Sequence, residues 1–327
     1  MKARFLTCFV FVLVLSFLSL SISPTTFATP TMPGHVTEYR IQTTLTKPYF
    51  ITQGRDGNLW FTGYASNMIG RITTAGTVTA FPLPHDYSAP YGITSGPDGN
   101  IWFTEDDGNR IGRITLTGTI TEFPLPNGDN FPFGITTGPD GNLWFTEAFS
   151  NKIGRITPEG TLTEFPLSKG RHSPSGITSG PDGNIWFAET AGNKIGRITP
   201  TGTITEFSLP YKTSFPLGIT SGPDGNIWFT EDYAGKIGRI TPSGHITEYT
   251  LPKTDTLPVA ITNGPDGNLW FSEGSGDKIG RITPGGTITE YPVPTAASYP
   301  FGITQGPDGN LWFVETFGNK VGRITPS

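Results

Sequence analysis

Apolar and polar positions along the chain repeat at a fixed spacing of 42 residues. Each period contains an Asp-Gly-Asn segment, a short apolar run with a tryptophan, and a Gly-Arg-Ile-Thr run. The tryptophans that mark the period are Trp60, Trp102, Trp144, Trp186, Trp228, Trp270 and Trp312. A period in the forties predicts either a β-propeller or an array of helical repeats.

The turn residues within one period favour the propeller. Residues 93–94 and 101–103 are short β-rich runs joined across an Asp-Gly turn, which is a hairpin signal. Two further runs rich in Ile, Thr and aromatic residues follow at 111–115 and 119–123. The runs lack helical periodicity, so each period predicts one four-stranded blade.

The two ends of the repeat predict how the ring closes. The last period stops at residues 325–327, before its fourth strand, and residues 34–39 have the sequence of that missing strand. Residues 34–327 span seven whole periods. We therefore expect an all-β, seven-bladed β-propeller over 34–327, in which residues 34–47 complete the last blade and remove its exposed edge.

The first residues have the composition of a secretory signal peptide. Lys2 and Arg4 precede an apolar run over residues 5–22, and small residues follow up to Ala28. We predict a signal peptide at 1–28, a short segment at 29–33 and a secreted protein. The alternative is an uncleaved membrane anchor, because the apolar run is nearly long enough to span a bilayer. The single cysteine, Cys8, lies inside this segment.

The charge balance of the remaining chain limits its partners. Without Lys2 and Arg4 the chain has 20 basic and 27 acidic residues, a net charge of −7, and it contains no basic block. Such a chain is a poor partner for nucleic acid or an anionic membrane. We expect a monomer with a small-molecule, peptide or glycan ligand.

The repeat is constant in some turns and variable in others. The first and third turns of each blade are nearly invariant, whereas the second turns and the links between blades vary and are rich in aromatic residues. In an antiparallel blade these two sets emerge on opposite faces, so we predict one binding face around the channel mouth, against the alternative of loop drift. The candidate ligand-binding residues are Tyr49, Tyr91, Phe133, Tyr233, Tyr299, Phe301 and Phe317.

Recurring charged residues are interpreted as structural. A glutamate ends the second strand of six blades and a basic residue follows five positions later, as in Glu147 and Lys152, which predicts a repeated cross-strand ion pair. The recurrent arginine, such as Arg113, is interpreted as blade packing. Among the four histidines, His172 is the candidate for a catalytic residue, because it lies two positions before Pro174 and near the predicted channel mouth.

The unit GPDGNLWFTE…NKIGRIT…GTITEFPLP closely resembles the repeat of the virginiamycin B lyase (streptogramin B lyase) family across 34–327. The resemblance implies a Mg²⁺-dependent carbon–oxygen lyase that opens cyclic depsipeptides with a histidine base and metal-binding carboxylates. At the family's histidine positions this chain has Val259 and Phe301, and Tyr299 replaces a carboxylate. Glu315 matches the remaining metal-binding glutamate.

Three functions remain open from the sequence. The first is a binding propeller whose aromatic face holds a peptide, glycan or other amphipathic ligand. The second is a lyase or related propeller hydrolase with rearranged residues: His172 as base, and metal ligands drawn from Glu315, Asp106, Asp107 and Asp232. The third is a scaffold without a ligand.

Overall fold

The structure is a computed structural model, and it describes residues 33–43, 45–126, 128, 130–253 and 255–326. The predicted signal peptide and almost all of the 29–33 segment lie outside the described residues, so both stay predictions. The domain bounds stay predictions with them. No helix among the described residues is long and apolar enough to span a membrane.

The described residues form short strands in chain order, without a helix. The first strand and the first two blades are β1 (Val36–Arg40), β2 (Pro48–Gln53), β3 (Leu59–Gly63), β4 (Met68–Ile72), β5 (Val78–Pro82), β6 (Pro90–Ser95), β7 (Ile101–Glu105), β8 (Arg110–Ile114) and β9 (Ile120–Pro124). The third and fourth blades are β10 (Pro132–Thr137), β11 (Leu143–Glu147), β12 (Lys152–Ile156), β13 (Leu162–Pro166), β14 (Pro174–Ser179), β15 (Ile185–Glu189), β16 (Lys194–Ile198) and β17 (Ile204–Ser208). The remaining strands are β18 (Pro216–Ser221), β19 (Ile227–Glu231), β20 (Lys236–Ile240), β21 (Ile246–Thr250), β22 (Pro258–Asn263), β23 (Leu269–Glu273), β24 (Lys278–Ile282), β25 (Ile288–Pro292), β26 (Pro300–Gln305), β27 (Leu311–Glu315) and β28 (Lys320–Ile324).

The strands assemble into seven four-stranded antiparallel sheets, which confirms the predicted propeller. Six sheets contain four consecutive strands, and the seventh has the order β1-β28-β27-β26. Val36 pairs with Ile324, and the Gly34 amide donates to the Thr325 carbonyl at 2.8 Å. The N-terminal strand therefore closes the ring, as the sequence predicted.

The lower half of each blade is built around its tryptophan. In blade 2 the Trp102 ring is fully buried, stacks on Phe123 with the ring centroids 5.5 Å apart, and lies under the Arg113 guanidinium at 5.4 Å. The Asp98 carboxylate accepts from the Trp102 indole at 3.0 Å, and Arg113 donates to the Pro158 carbonyl of the next blade at 2.8 Å. These contacts confirm that the recurrent arginine is a packing residue.

A β-bulge at the start of each inner strand shapes the upper half. In blade 3 Pro132 pairs with Glu147 and Ile135 with Phe145, so two residues oppose one. The same irregularity occurs in every blade, directly after the opening proline. The residue after the proline is thereby placed at the inner edge of the ring, beside its counterparts in the neighbouring blades.

Candidate functional site

We call the side of the disc that carries the second turns and the blade links the top face. The link residue just before each opening proline has a positive φ near 50°, for example Phe131, Phe215 and Tyr299. Its carbonyl accepts from an amide of the second turn of the same blade, as between Phe131 and Ala148 at 3.1 Å. Each blade therefore holds one link residue next to one second turn.

The residues after the opening prolines pack across the channel mouth. Tyr91 lies 4.2 Å from Phe133 and 4.8 Å from Tyr49 between ring centroids, and Tyr49 lies 4.9 Å from Phe301. Tyr91 and Phe301 are buried by these contacts. We call Tyr49, Phe50, Tyr91, Phe133 and Phe301 the aromatic plug; its rings contact one another, and Tyr49, Phe50 and Phe133 remain partly exposed.

Phe50 is a member of the plug that sequence reasoning missed. It occupies the position that is Gly92 in the second blade, and its ring lies 5.3 Å from both Tyr91 and Phe301. The signal was the single bulky residue at a position that is glycine or alanine in every other blade. Beneath the plug lies an apolar cavity of about 140 Å³, lined in part by Phe50, Ile219 and Ile261.

Six other aromatic residues on the top face occur as three pairs, each made of one link residue and one second-turn residue. The pairs are Phe131 with Phe149 at 5.6 Å, Phe215 with Tyr233 at 5.7 Å, and Tyr299 with Phe317 at 5.3 Å. We call them the aromatic pairs. Phe149, Tyr233 and Phe317 are 73, 65 and 61% exposed. The candidates Tyr233, Tyr299 and Phe317 belong to this group, to which the structure adds Phe131, Phe149 and Phe215.

The expected pairing of the second-strand glutamates with the following lysines is wrong in five blades. Lys152 is the backbone partner of Glu147, but its ammonium binds Glu164 of the outer strand at 2.6 Å. Only in blade 2 does the pair form, between Arg110 and Glu105 at 3.2 Å. The lysines that follow the outer-strand pattern are Lys152, Lys194, Lys236, Lys278 and Lys320. A lysine is long enough to reach the diagonal neighbour, where its ammonium stays partly hydrated.

Apart from Glu105, which pairs with Arg110, the second-strand glutamates are therefore buried without a lysine or arginine partner. All six side chains are fully buried. Burial raises the pKa of Glu147 to about 7, against the lowering effect of its hydrogen bond from Ser150. Burial likewise raises the pKa of Glu315 to about 8, with Glu38 adding to the shift. These carboxyls carry protons well above the pH at which exposed glutamates ionise.

The residues at the position that the resemblance assigns to Mg²⁺ do not fit that ion. Glu315 is the only carboxylate of the set, and burial favours its protonated form. The positions beside it carry the Tyr299 phenol and the Phe301 ring, which lie 6.3 Å apart and offer no carboxylate or imidazole. Mg²⁺ requires hard oxygen ligands, mostly charged.

His172 lies within the top edge of blade 4 and is only 3% exposed. Its Nδ1 is 2.5 Å from the Glu189 carboxylate, and its Nε2 is 3.1 Å from the Ser168 hydroxyl. A ligand at the channel mouth therefore has no direct access to it. In the described part of the chain, one set of three metal-binding side chains exists, His172 with Glu189 and Glu206.

The acidic residues of the second hypothesis lie elsewhere. Glu315, Asp106, Asp107 and Asp232 are not members of the three-residue set around His172. Burial, and then the Asp107 charge, raise the pKa of Asp106 to about 6. Burial alone raises the pKa of Asp232 to about 6. Burial raises the pKa of Tyr49 and of Tyr299, and the charges of Asp106 and Asp232, respectively, raise these pKa values further.

The fold and the top face define a closed seven-bladed propeller whose variable face surrounds a plugged channel. The chain belongs to the virginiamycin B lyase family, whose model matches residues 25–216 and 193–327.

A solved streptogramin B lyase is 40% identical over 89% of this chain and 97% of its own, with a TM-score of 0.86. The selenomethionine-substituted virginiamycin B lyase from Staphylococcus aureus is 44% identical over 89% of this chain and 99% of its own, also at 0.86. A catalytically inactive histidine-to-alanine variant of the S. aureus enzyme, solved with Quinupristin, is 44% identical over the same shares of both chains, with a TM-score of 0.85. A comparison with curated proteins returns no match.

Proposed function

We propose that this protein is a binding propeller whose top face holds an amphipathic ligand, a peptide or glycan with apolar or ring surfaces. The observation that carries the proposal is the three aromatic pairs on one face around the plugged channel, in which every ring except the half-buried Tyr299 is exposed. Tyrosine and phenylalanine rings offer rigid apolar contact area with little entropy to lose on binding.

The surroundings of one pair suit a ligand of mixed polarity. A shallow cleft of about 330 Å³ is lined by Phe131, Phe149, Asp106 and Arg171, among others. It brings aromatic faces together with one acidic and one basic side chain. Pockets that bind small ligands combine apolar walls with a few polar groups that orient the ligand. Quinupristin is the first probe to use, because a relative of this chain has been solved with it.

The test compares Phe149→Ser with Tyr87→Ser by calorimetric titration with Quinupristin and with a panel of oligosaccharides. Tyr87 is the matched control because it is also an exposed top-face aromatic residue, at 87%, but belongs to none of the aromatic pairs. We expect Phe149→Ser to weaken binding at least about tenfold, the equivalent of about 1.4 kcal/mol. Equal binding by wild type and Phe149→Ser, or an equal loss in Tyr87→Ser, would contradict the proposal.

Carbon–oxygen lyase or hydrolase chemistry on cyclic depsipeptides or esters is the alternative, favoured by family membership. Val259, Tyr299 and Phe301 stand against it, because they supply neither a base nor a charged ligand at the positions that the resemblance assigns to the site. Incubation with a streptogramin B, with Mg²⁺ or with chelator, separates the two, with ring opening followed by chromatography. Binding without opening supports the proposal; chelator-sensitive opening supports the alternative.

We also propose that the protein is a secreted monomer. Lys2, Arg4 and the apolar run over 5–22 support export, and the small residues up to Ala28 support cleavage there. Mass spectrometry of the exported protein should find Thr29 at its N-terminus, and light scattering should give the mass of one chain.

A further inference from the structure

Blade 4 differs from the other blades at two positions that lie in contact with each other. The position of His172 is serine, threonine or asparagine elsewhere, namely Thr46, Ser88, Asn130, Ser214, Thr256 and Ser298. The position of Ser168 is proline in five blades and Gln42 in the last. Ser168 and His172 are 3.1 Å apart. Blade 4 therefore has a histidine and a serine at these two positions, and the two side chains contact each other.

The hydrogen bonds of this cluster determine which histidine nitrogen is free. The Ser168 hydroxyl donates to Glu206 Oε1 at 3.0 Å, so it must accept from the Nε2–H of His172. In the neutral imidazole the Nδ1 is then left with a lone pair. That lone pair faces carboxylate oxygens: Glu189 Oε2 at 2.5 Å and Glu206 Oε1 at 3.9 Å.

A nitrogen lone pair that faces two carboxylates needs a cation between them, either a proton or a metal ion. The three ligand atoms lie within 4.8 Å of one another, and His172 and Glu189 are almost completely buried. The second carboxylate oxygen of Glu189, Oε1, is buried and has no hydrogen-bond partner in the described structure.

We propose that His172, Glu189 and Glu206 bind a divalent first-row transition metal ion, such as Zn²⁺, at the top edge of blade 4. One imidazole nitrogen and two carboxylates suit Zn²⁺, Mn²⁺ or Co²⁺ better than Mg²⁺. Three protein ligands leave the fourth position of a tetrahedral zinc site to water.

Residues around the three ligands support the same arrangement. Ser168 accepts from the far side of the imidazole ring, which holds Nδ1 toward the ion. Lys194 binds the other oxygen of Glu206, Oε2, at 2.5 Å and leaves Oε1 to face His172. Bound metal would tie the link that carries His172 to the second and outer strands of blade 4.

The test is calorimetric titration of tag-free, chelator-treated protein with Zn²⁺ at pH 7, beside His172→Ser and His85→Ser. His172→Ser introduces the residue of blades 2, 5 and 7, so the blade should fold. His85→Ser is the control, because His85 also contacts a glutamate, Glu122, at 2.5 Å but belongs to no three-residue set.

We expect one Zn²⁺ per chain in the wild type and in His85→Ser. His172→Ser should lose more affinity than the 10- to 100-fold typical of losing a supporting contact. Ser168→Pro, which removes only such a contact, should lose about that much. Co²⁺ should give visible absorption bands in wild type and none in His172→Ser. No saturable binding, undiminished binding by His172→Ser, or an equal loss in His85→Ser would overturn the proposal.

Blade 5 provides a gain-of-function test, because Glu231, Glu248 and Lys236 there match Glu189, Glu206 and Lys194. The double change Pro210→Ser and Ser214→His should create a second site and raise the stoichiometry to two. A stoichiometry that stays at one in a folded variant would show that these residues do not suffice, and would count against the proposal.

Discussion

The two faces of the disc use acidic residues in opposite ways. In the bottom turn of blade 3, both carboxylate oxygens of Asp140 accept hydrogen bonds. The donors are the Asn142 side chain at 2.8 Å, the Asn142 backbone amide at 3.2 Å and the Trp144 indole at 3.0 Å. In the top turn of the same blade, Glu147 accepts from Ser150 at 2.7 Å, and its other oxygen has no partner in the described structure.

This difference separates structural from adaptable positions. The bottom cluster of aspartate, tryptophan and arginine recurs in every blade because each member completes the hydrogen bonds or the packing of the others. At the top edge, each of six blades contains a buried glutamate with at least one carboxylate oxygen that has no hydrogen-bond partner in the described structure. A different residue next to that glutamate can therefore become its partner. Blade 4, with His172 on Glu189, is the clearest case.

The largest effect should come from removing a tryptophan of the bottom half. Trp228 is fully buried and stacks on Tyr249 at 5.6 Å. Trp228→Ala should lower the free energy of unfolding by about 3–5 kcal/mol. Urea unfolding would measure this, with the exposed Tyr87→Ala, expected within about 0.5 kcal/mol, as control. Comparable losses in both would remove the distinction between the faces.

The second effect concerns the bottom turn of blade 3. Asp140→Ala leaves the buried indole N–H of Trp144 without its acceptor and frees two donors of Asn142. We expect a loss of about 2–3 kcal/mol. Asp107→Ala is the control, because Asp107 is an exposed residue of a top turn. This substitution should change the midpoint of urea unfolding little.

The repeat predicted the fold well because each blade repeats one set of strand and turn signals, and the match of residues 34–39 to a missing fourth strand determined the closure. The lysine partners could not be predicted in the same way. The side chain of Lys152 can reach both Glu147 and Glu164, and relative hydration, which the spacing does not reveal, decides between them.

The aromatic residues of the top face show a similar limit. Their side of the disc was predictable from the turn order. Whether a ring is covered depends on what stands opposite, as with Tyr91 and Phe301, which the bulky Phe50 helps to bury. The plug is thus formed by residues of four blades.

The third effect depends on pH and tests the buried glutamate at the top edge of blade 3, Glu147. The pKa of Glu147 is about 7 in the folded protein, raised above its usual value chiefly by burial. The folded state therefore binds more protons than the unfolded state between roughly pH 4.5 and 7, and stability should fall as the pH rises through that range. Glu147→Gln should be near neutral at pH 5 and stabilising by about 1–2 kcal/mol at pH 8.

Thermal unfolding of wild type and Glu147→Gln at pH 5, 6, 7 and 8 measures this effect. Glu159→Gln, at an exposed position of a bottom turn, should run parallel to the wild type. A Glu147→Gln curve that also runs parallel would mean that Glu147 ionises normally in the folded protein.

The smallest effect should come from the aromatic pairs, and it bears most directly on function. Phe317 is 61% exposed and contacts Tyr299 at 5.3 Å, so Phe317→Ala should cost under about 1 kcal/mol of stability. Phe301→Ala, in the buried plug, should cost about 3–5 kcal/mol. Truncation of a residue that is needed for folding lowers the stability of the protein, whereas truncation of a residue that serves binding lowers its affinity for the ligand. A large loss of stability in Phe317→Ala would make the pairs part of the packing, and a small one leaves their exposed rings available to a ligand.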